Sequence, residues 1–498
     1  MTEDQRPVRV RFPPSPSGDL HVGNVRTALY DWAFARSTKG TLVLRIEDTD
    51  RARVTDEYIY SALDTLRWLG LEWDEGPTVG GRHGPYLQSQ RLDIYQDWAR
   101  RFYESGAAYH CYCTTEEVAE RRAAARTAGA GPSGYDGHCR SLTREQVTAY
   151  QAEGRKPVLR LRMPDGSTTF TDVIRGEITV SHRDVPDFVL VRADGSPLYT
   201  LAVAVDDVMM EITHIVRGED LLSSTPRQIA VYRAMGVKDE DFPVFAHLPL
   251  VLGPDGQRLS KRNGVTSVNW YRNEGFLPEA ICNYMALLGW SPGGNRELFT
   301  LEDMAAEFDL ARVNKNAAKF DARKLEAING DKIRALAPDD FAARITPFLH
   351  RAGLVAVRPS AEHARLIKAG APLIQERISR LTEAADMLGF LLADGEQFTI
   401  APEDAEKVLT AESGAVLKAS IGALEDVADW SWSAPPIEEA LRAALIDGLG
   451  LKPRTAFAPL RVAVTGRRVS PPLFESMELL GRERSLARLN AALSSVGA

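Results

Sequence analysis

Val8-Arg9-Val10-Arg11-Phe12-Pro13-Pro14-Ser15-Pro16-Ser17-Gly18-Asp19-Leu20-His21-Val22-Gly23-Asn24 is the stretch on which the fold turns. Its first five residues alternate apolar and charged side chains, the period-two pattern of a short strand. The Pro/Ser/Gly run that follows cannot continue a sheet and predicts a tight loop. Beyond His21 the apolar residues Val22, Val25, Leu29, Trp32 and Ala33 recur at helical spacing. Strand, glycine-containing loop and helix N-terminus in that order bring free N–H groups and the positive end of a helix dipole together, which suits an anion. His21 stands at the mouth of that site, placed to donate a hydrogen bond to a phosphate, and Gly23 lets a nucleotide approach the backbone. Alone, the motif reads first as a surface loop with an incidental histidine.

A second segment changes that reading. Phe245 to Leu252 is a largely apolar run, followed by the turn Gly253-Pro254-Asp255-Gly256 and a loop carrying Arg258, Ser260, Lys261, Arg262 and Gly264. A flexible ammonium on a mobile loop suits a reaction that expels pyrophosphate, because the leaving group gains negative charge in the transition state. Between the two segments, Thr41 to Asp50 predicts a buried strand ending in carboxylates. Glu47 and Asp48 are thereby expected beside the nucleotide, at the carboxyl end of a parallel strand. The alternative for these acids is a charged cap on the helix starting near Val54. Further on, Pro197 to Asp220 mixes apolar stretches with the acids Asp206 and Asp207 and one arginine, Arg217. Arg11 and Arg217 are candidates for clamping a carboxylate through parallel hydrogen bonds.

Composition bounds the rest. The 498 residues are too many for one core and predict three to five units, with 44% hydrophobic and 26% charged residues, as in an ordinary soluble protein. No run of 18 apolar residues occurs and the start is polar, so neither a membrane span nor a signal peptide is expected, and a cytoplasmic location follows. Four cysteines argue against a disulfide framework. Net charge is −8, yet residues 450–498 hold eight Lys/Arg against three Glu, consistent with a local phosphate-contacting patch or with solvated helix faces.

Taken together, Arg11-x-x-Pro14-Ser15-Pro16-x-Gly18, His21-Val22-Gly23, Arg45-Ile-Glu-Asp-Thr-Asp50, Thr169-Phe-Thr-Asp172, Leu221-Leu-Ser-Ser-Thr-Pro226 and Leu259-Ser-Lys-Arg262 form an ordered set. In that set the chain resembles the bacterial glutamyl-tRNA synthetases, a class I aminoacyl-tRNA synthetase family, nearly end to end. The resemblance implies ATP-dependent joining of L-glutamate to the terminal adenosine of tRNA-Glu through a glutamyl-adenylate. It implies that Arg11, Ser15, Glu47, Tyr199 and Arg217 hold glutamate, with Arg217 on its side-chain carboxylate and Glu47 on its amino group. Gly18, His21, Gly23, Asn24, Ser260 and Lys261 would hold ATP with Mg²⁺, and His21 and Lys261 would stabilise the triphosphate during attack. A monomer and no membrane partner are implied. Charging of tRNA-Gln as well, or a diverged paralogue acting as an RNA-binding or regulatory protein, are the alternative readings.

Several positions depart from the family pattern. Asn24 replaces a histidine, Arg258 a lysine and Pro13 a small residue. Val203 stands where an asparagine is expected in the glutamate pocket. Its loss predicts weaker glutamate binding, since one hydrogen bond to a charged group is worth about 1.5–3 kcal/mol.

Cys111, Cys113 and Cys139 carry three of the four ligands that tetrahedral zinc needs. Zinc-bearing relatives end their pattern in Cys-x-His, but Ser141 stands at that place here. His138 or Tyr135 is the possible substitute, and reduced structural thiols are the alternative. Cys282 sits in a helical apolar pattern and reads as core.

The expected architecture is multidomain. A doubly wound, Rossmann-type parallel α/β catalytic sheet occupies 1–105 and 201–265, with an inserted α/β acceptor-stem-binding domain at 106–200. A helical stem-contact domain (266–337) and a helical anticodon-binding domain (338–498) follow. Arg121 to Gly131 reads as a mobile tip. The helical tail separates this pattern from glutaminyl enzymes, which resemble β-barrel proteins there, and from a truncated relative that modifies a queuosine base.

Overall fold

Residues 6–50, 54–127, 134–260, 266–393 and 397–496 are described by the computed structural model. The opening alternation folds as β1 (Arg9–Phe12), but both of its faces are buried. Arg9 and Arg11 are therefore interior charges, and each needs a partner. Arg9 takes Glu75 through two bonds of 2.9 and 3.1 Å.

The loop after β1 opens into α1 (Val22–Ser37), which returns the chain to β2 (Thr41–Leu44), parallel to β1 with Arg9 opposite Thr41. A helix between parallel strands is the usual crossover. The main sheet runs in the order β2, β1, β8 (His214–Gly218), β9 (Val244–Leu248), β5 (Ser167–Asp172), β6 (Gly176–Ser181). Every neighbouring pair is parallel except the β5–β6 hairpin. This is the parallel α/β sheet the sequence predicts.

The hairpin is the departure, because its residues lie inside the segment expected to be inserted. Asp172 explains the attachment. Its carboxylate accepts the amide N–H of His247 on β9 at 3.0 Å while also capping the turn at Ile174 and Arg175. The remainder of that segment forms a separate antiparallel sheet, β3 (Ala108–Cys111), β4 (Val158–Leu161) and β7 (Val189–Val191). Helices α2 (Asp56–Trp68), α3 (Leu92–Glu104), α4 (Thr115–Thr127), α5 (Arg144–Ala152), α6 (Tyr199–Met209) and α7 (Thr225–Ala234) complete this part. The Arg121–Gly131 stretch enters α4 as far as Thr127, and its remaining residues lie outside the described ones. Cys282 is buried, as its pattern predicts.

The chain divides into two compact units, one of Met1–Tyr271 with Ile281–Ala322 and one of Arg272–Ala280 with Arg323–Ala498. Among its described residues the second unit contains helices and no strand. Its core is apolar at helical spacing, for example Phe341, Ile345 and Leu349 on the helix Pro338–Arg351.

The basic tail, read as a phosphate-contacting patch or as solvated helix faces, directs several of its arginines to groups of its own unit. Arg484 donates to the carbonyls of Leu391 and Ala393, and Arg488 to those of Val464 and Phe390. Arg482 caps Glu425, Arg461 binds Ser470, and Arg467 and Arg468 pair with Asp386 and Asp404. Arg482, Arg484 and Arg488 thus close helix C-termini, whereas Arg467 and Arg468 keep half-exposed side chains. Among the aromatics of residues 430–474, Phe457 and Phe474 pack edge to face, and the Trp432 ring N–H donates to Met477, while Trp430 is 91% exposed.

Candidate active site

A cleft of about 760 Å³ opens at the carboxyl ends of β1, β8 and β9, where α/β sheets bind ligands. Arg11, Ser15, Gly18, His21, Gly23, Asn24, Glu47, Tyr199, Arg217 and Ser260 all line it. Residues separated by up to about 250 positions in sequence thus meet in one cavity. Lys261 lies outside the described residues, immediately after the lining residue Ser260. The segment leading to it is a short hairpin: Val251 O accepts from the amide of Leu259 at 2.9 Å, and Gly256 takes the positive φ (76°) that the turn requires.

His21 is the N-cap of α1 rather than a bystander at its mouth. Its Nδ1 accepts from the amides of Gly23 and Asn24 at 3.1 and 3.3 Å, and the Asn24 side chain accepts from the His21 amide at 3.4 Å. The Val22 amide is taken by the Thr266 carbonyl at 2.9 Å. The expectation of open amides at this helix start is thereby corrected: its first three N–H groups already have acceptors. An accepting Nδ1 leaves the proton of a neutral imidazole on Nε2, which makes that nitrogen the donor for an anion. Gly23 gains a second reason, since a Cβ there would lie 3.1 Å from the His21 ring.

Arg11 and Arg217 are both buried. Arg11 Nε donates to Asp207 at 3.2 Å, and Asp207 also receives Arg45 Nη1 at 2.8 Å. Burial alone would raise the Asp207 carboxyl, but the two arginines outweigh it and hold it below its ordinary value. Arg217 donates through Nη2 to Thr225 Oγ1 at 2.9 Å and to the Leu221 carbonyl at 3.3 Å. Among the described residues no acceptor meets Nη1 of either arginine, although both atoms are buried. A buried unsatisfied donor costs about 1–3 kcal/mol, so two of them beside one cleft mark where a ligand supplies the acceptors.

Glu47 is nearly sealed, with one oxygen 3.3 Å from Arg45 Nη2. Burial pushes its carboxyl up to about 7, against the pull of Arg45 and Arg11. Asp48, expected beside the nucleotide, turns away: its carboxylate accepts the backbone and side chain of Ser89 at 2.8 and 2.5 Å. Val203 follows Tyr199 by one turn of α6, is fully buried, and the cleft wall is formed without it. Sequence reasoning named Asp207 only as one of a pair of acids and missed its place under Arg11. The signal was present, since two aspartates in the otherwise apolar α6 must be paired to be buried.

Away from the cleft, the Sγ atoms of Cys111, Cys113 and Cys139 lie within 4.8 Å of one another. The Tyr135 hydroxyl is 3.3 Å from the Cys111 sulfur and 3.7 Å from that of Cys113. Hydrogen bonds from Cys139, Tyr135 and Arg160 draw the Cys111 thiol down, so the cluster holds one thiolate readily. His138 is exposed beside this group.

The sequence matches the family described as tRNA synthetases class I (E and Q), catalytic domain, over residues 7–327, and an anticodon binding domain over residues 340–493. The chain therefore belongs to the class I aminoacyl-tRNA synthetases. Within that class it belongs to the glutamate–tRNA ligase family. It is 54% identical to the glutamate–tRNA ligase of Nocardioides sp. over 99% of this chain and 100% of that protein. It is also 54% identical to that of Saccharopolyspora erythraea over 99% and 97%. A crystal structure of a glutamate tRNA ligase from Elizabethkingia meningosepticum, in complex with its amino acid, superposes with a TM-score of 0.84 at 33% identity, covering 99% and 100% of the two chains. Among the described residues no helix is long and apolar enough to cross a membrane.

Proposed function

We propose that this chain joins L-glutamate to the 3′-terminal adenosine of tRNA-Glu in two steps within the cleft. A glutamate α-carboxylate oxygen attacks the α-phosphorus of ATP, the bond to the β-phosphate oxygen breaks, and pyrophosphate leaves. The adenosine hydroxyl then attacks the activated carbonyl, gives up its proton, and displaces AMP. The observation that carries this reading is the pair of buried guanidiniums, Arg11 and Arg217, whose Nη1 atoms meet no acceptor among the described residues. Two fixed guanidiniums lining one cavity, each with a donor to offer, fit a ligand with two carboxylates.

In this reading Arg217 takes the side-chain carboxylate and Arg11 the α-carboxylate, with Ser15 and Tyr199 alongside. Glu47, as carboxylate, takes the ammonium. His21 Nε2–H faces the triphosphate with Gly18, Gly23, Asn24 and Ser260 around it, and Lys261 meets the developing charge on pyrophosphate. Mg²⁺ arrives with ATP and is held mainly by phosphate oxygens. Nothing here forms a covalent bond to the protein, so catalysis rests on positioning and charge stabilisation. The chain acts as a monomer.

The thiol cluster fits zinc. Zn–S bonds of about 2.3 Å place tetrahedral sulfurs roughly 3.8 Å apart, which three sulfurs within 4.8 Å of one another support, and the Tyr135 hydroxyl, 3.3 Å from the Cys111 sulfur, is a candidate for the fourth position. Such an ion would tie β3 to the Tyr135–Cys139 loop as a structural site. Glutamylation of purified tRNA-Glu with labelled glutamate tests the main reading, and transfer of glutamine instead overturns it.

A further inference from the structure

Thr169-Phe170-Thr171-Asp172 has no part in the reaction as described, and His247 is a fully buried imidazole outside the cleft lining. Both lead to Arg217. β8 and β9 run parallel with Arg217 opposite His247, and the Arg217 Nε–H donates to His247 Nε2 at 3.0 Å. On the other side of the ring, His247 Nδ1 lies 2.6 Å from Asp172 Oδ2. A carboxylate against Nδ1 fixes the proton there and leaves the Nε2 lone pair to receive the arginine. Thr225 Oγ1 and the Leu221 carbonyl take Arg217 Nη2, which directs the remaining nitrogen, Nη1, to its unsatisfied position.

We infer that Asp172 and His247 are positioning residues for substrate recognition: the chain Asp172–His247–Arg217 holds the guanidinium so that Nη1 presents itself to the side-chain carboxylate of glutamate. The inference rests on the reading of Arg217 given above. A buried neutral imidazole has one N–H to donate and one lone pair to accept with, and here the lone pair goes to a guanidinium that lines the cleft. Here both ring nitrogens are engaged, both side chains are sealed from solvent, and the chain ends on a donor with no acceptor among the described residues. Burial lowers the His247 pKa against the pull of Asp172, which keeps the ring neutral and its Nε2 an acceptor. Asp172 is itself fixed by the amides of Ile174, Arg175 and His247, and Arg175 pairs with Glu219, whose other oxygen accepts the Leu250 amide at 2.7 Å. The hairpin turn thereby becomes part of the amino-acid site.

Asp172→Asn tests the tautomer. An asparagine amide turned toward Nδ1 moves the ring proton to Nε2, where it opposes the Arg217 donor. His247→Phe removes the acceptor, and His247→Gln restores one. Glutamylation of tRNA-Glu is measured at varied glutamate and varied ATP, with thermal melting of each variant. Asp172→Asn and His247→Phe are expected to raise the KM for glutamate by about tenfold or more, the scale of one hydrogen bond to a charged group, with the KM for ATP within about twofold. His247→Gln is expected to recover most of the loss, and the Asp172→Asn/His247→Phe double variant to be no worse than the worse single one. An unchanged KM for glutamate, a parallel rise in both KM values, or a His247→Gln variant as impaired as His247→Phe overturns the inference. Where His247→Phe fails to fold, the Asp172→Asn and His247→Gln pair decides by the same criteria. Wild-type protein that does not use glutamate overturns the underlying reading instead.

Discussion

Arg11 Nε donates to Asp207 Oδ1 at 3.2 Å, with both side chains closed off from solvent. Asp207 also takes Arg45, which Glu47 and Asp206 share, and Arg11 Nη1 is left for the cleft. Removing one member of a buried pair costs about 3–5 kcal/mol, because the remaining charge stays unpaired. Asp207→Ala is expected to lower unfolding stability by that amount, read from urea denaturation, and Asp207→Asn by less.

Asp207 also sets an acid limit. Its folded pKa is depressed below its unfolded value, so its contribution is complete above about pH 4 and is lost as pH falls through the folded value. The difference in stability between wild type and Asp207→Asn is expected to shrink as pH falls below about 4, measured by denaturation at stepped pH.

Glu47 titrates from the opposite direction. Burial holds its carboxyl at about 7, and it must be ionised to meet an ammonium. The KM for glutamate is expected to rise as pH falls below about 7, by up to tenfold per pH unit, since the site must first lose its proton. Glu47→Gln flattens this dependence while raising KM at every pH. A wild-type KM independent of pH between 6 and 8 contradicts the role, judged against the ordinary glutamate value of about 4.3.

His21 combines two tasks that substitution separates. Asparagine caps a helix well, so His21→Asn is expected to stay within about 0.5 kcal/mol of wild-type stability, whereas His21→Ala loses about 1 kcal/mol. Both remove the Nε2–H donor, and both are expected to lower kcat by about 10²–10³, with single-turnover kinetics as the readout.

The zinc reading is checked on purified protein by elemental analysis. One zinc per chain is expected, lost in Cys139→Ser, and diminished in Tyr135→Phe, which keeps the ring but not the oxygen. Wild-type protein free of zinc after preparation without chelators sinks the proposal.

Much of this site is legible in the amino-acid sequence. The strand–loop–helix at Val8–Asn24 and the acids after β2 depend on local pattern, and the lining residues they predict share one cleft. What was not legible depended on neighbours distant in sequence. The amides at the start of α1 look open locally, but His21 itself and Thr266 consume them. Asp48 follows Glu47 directly, yet its direction is set by Ser89, 41 residues away. The tail's arginines read as surface charge, whereas helix ends elsewhere in the tail supply carbonyls that bind several of them. His247 lies in an apolar run where any histidine looks like filling, and only the pairing of β9 with β8 reveals its contact with Arg217.

The most direct measurement is ATP–pyrophosphate exchange with L-glutamate, run with and without tRNA-Glu. Glutamate-dependent exchange that falls in Arg217→Ala, by about 10–100-fold as expected for one lost hydrogen bond to a charged group, is the predicted result. Exchange that ignores glutamate, or that proceeds equally with Arg217 replaced, contradicts the account.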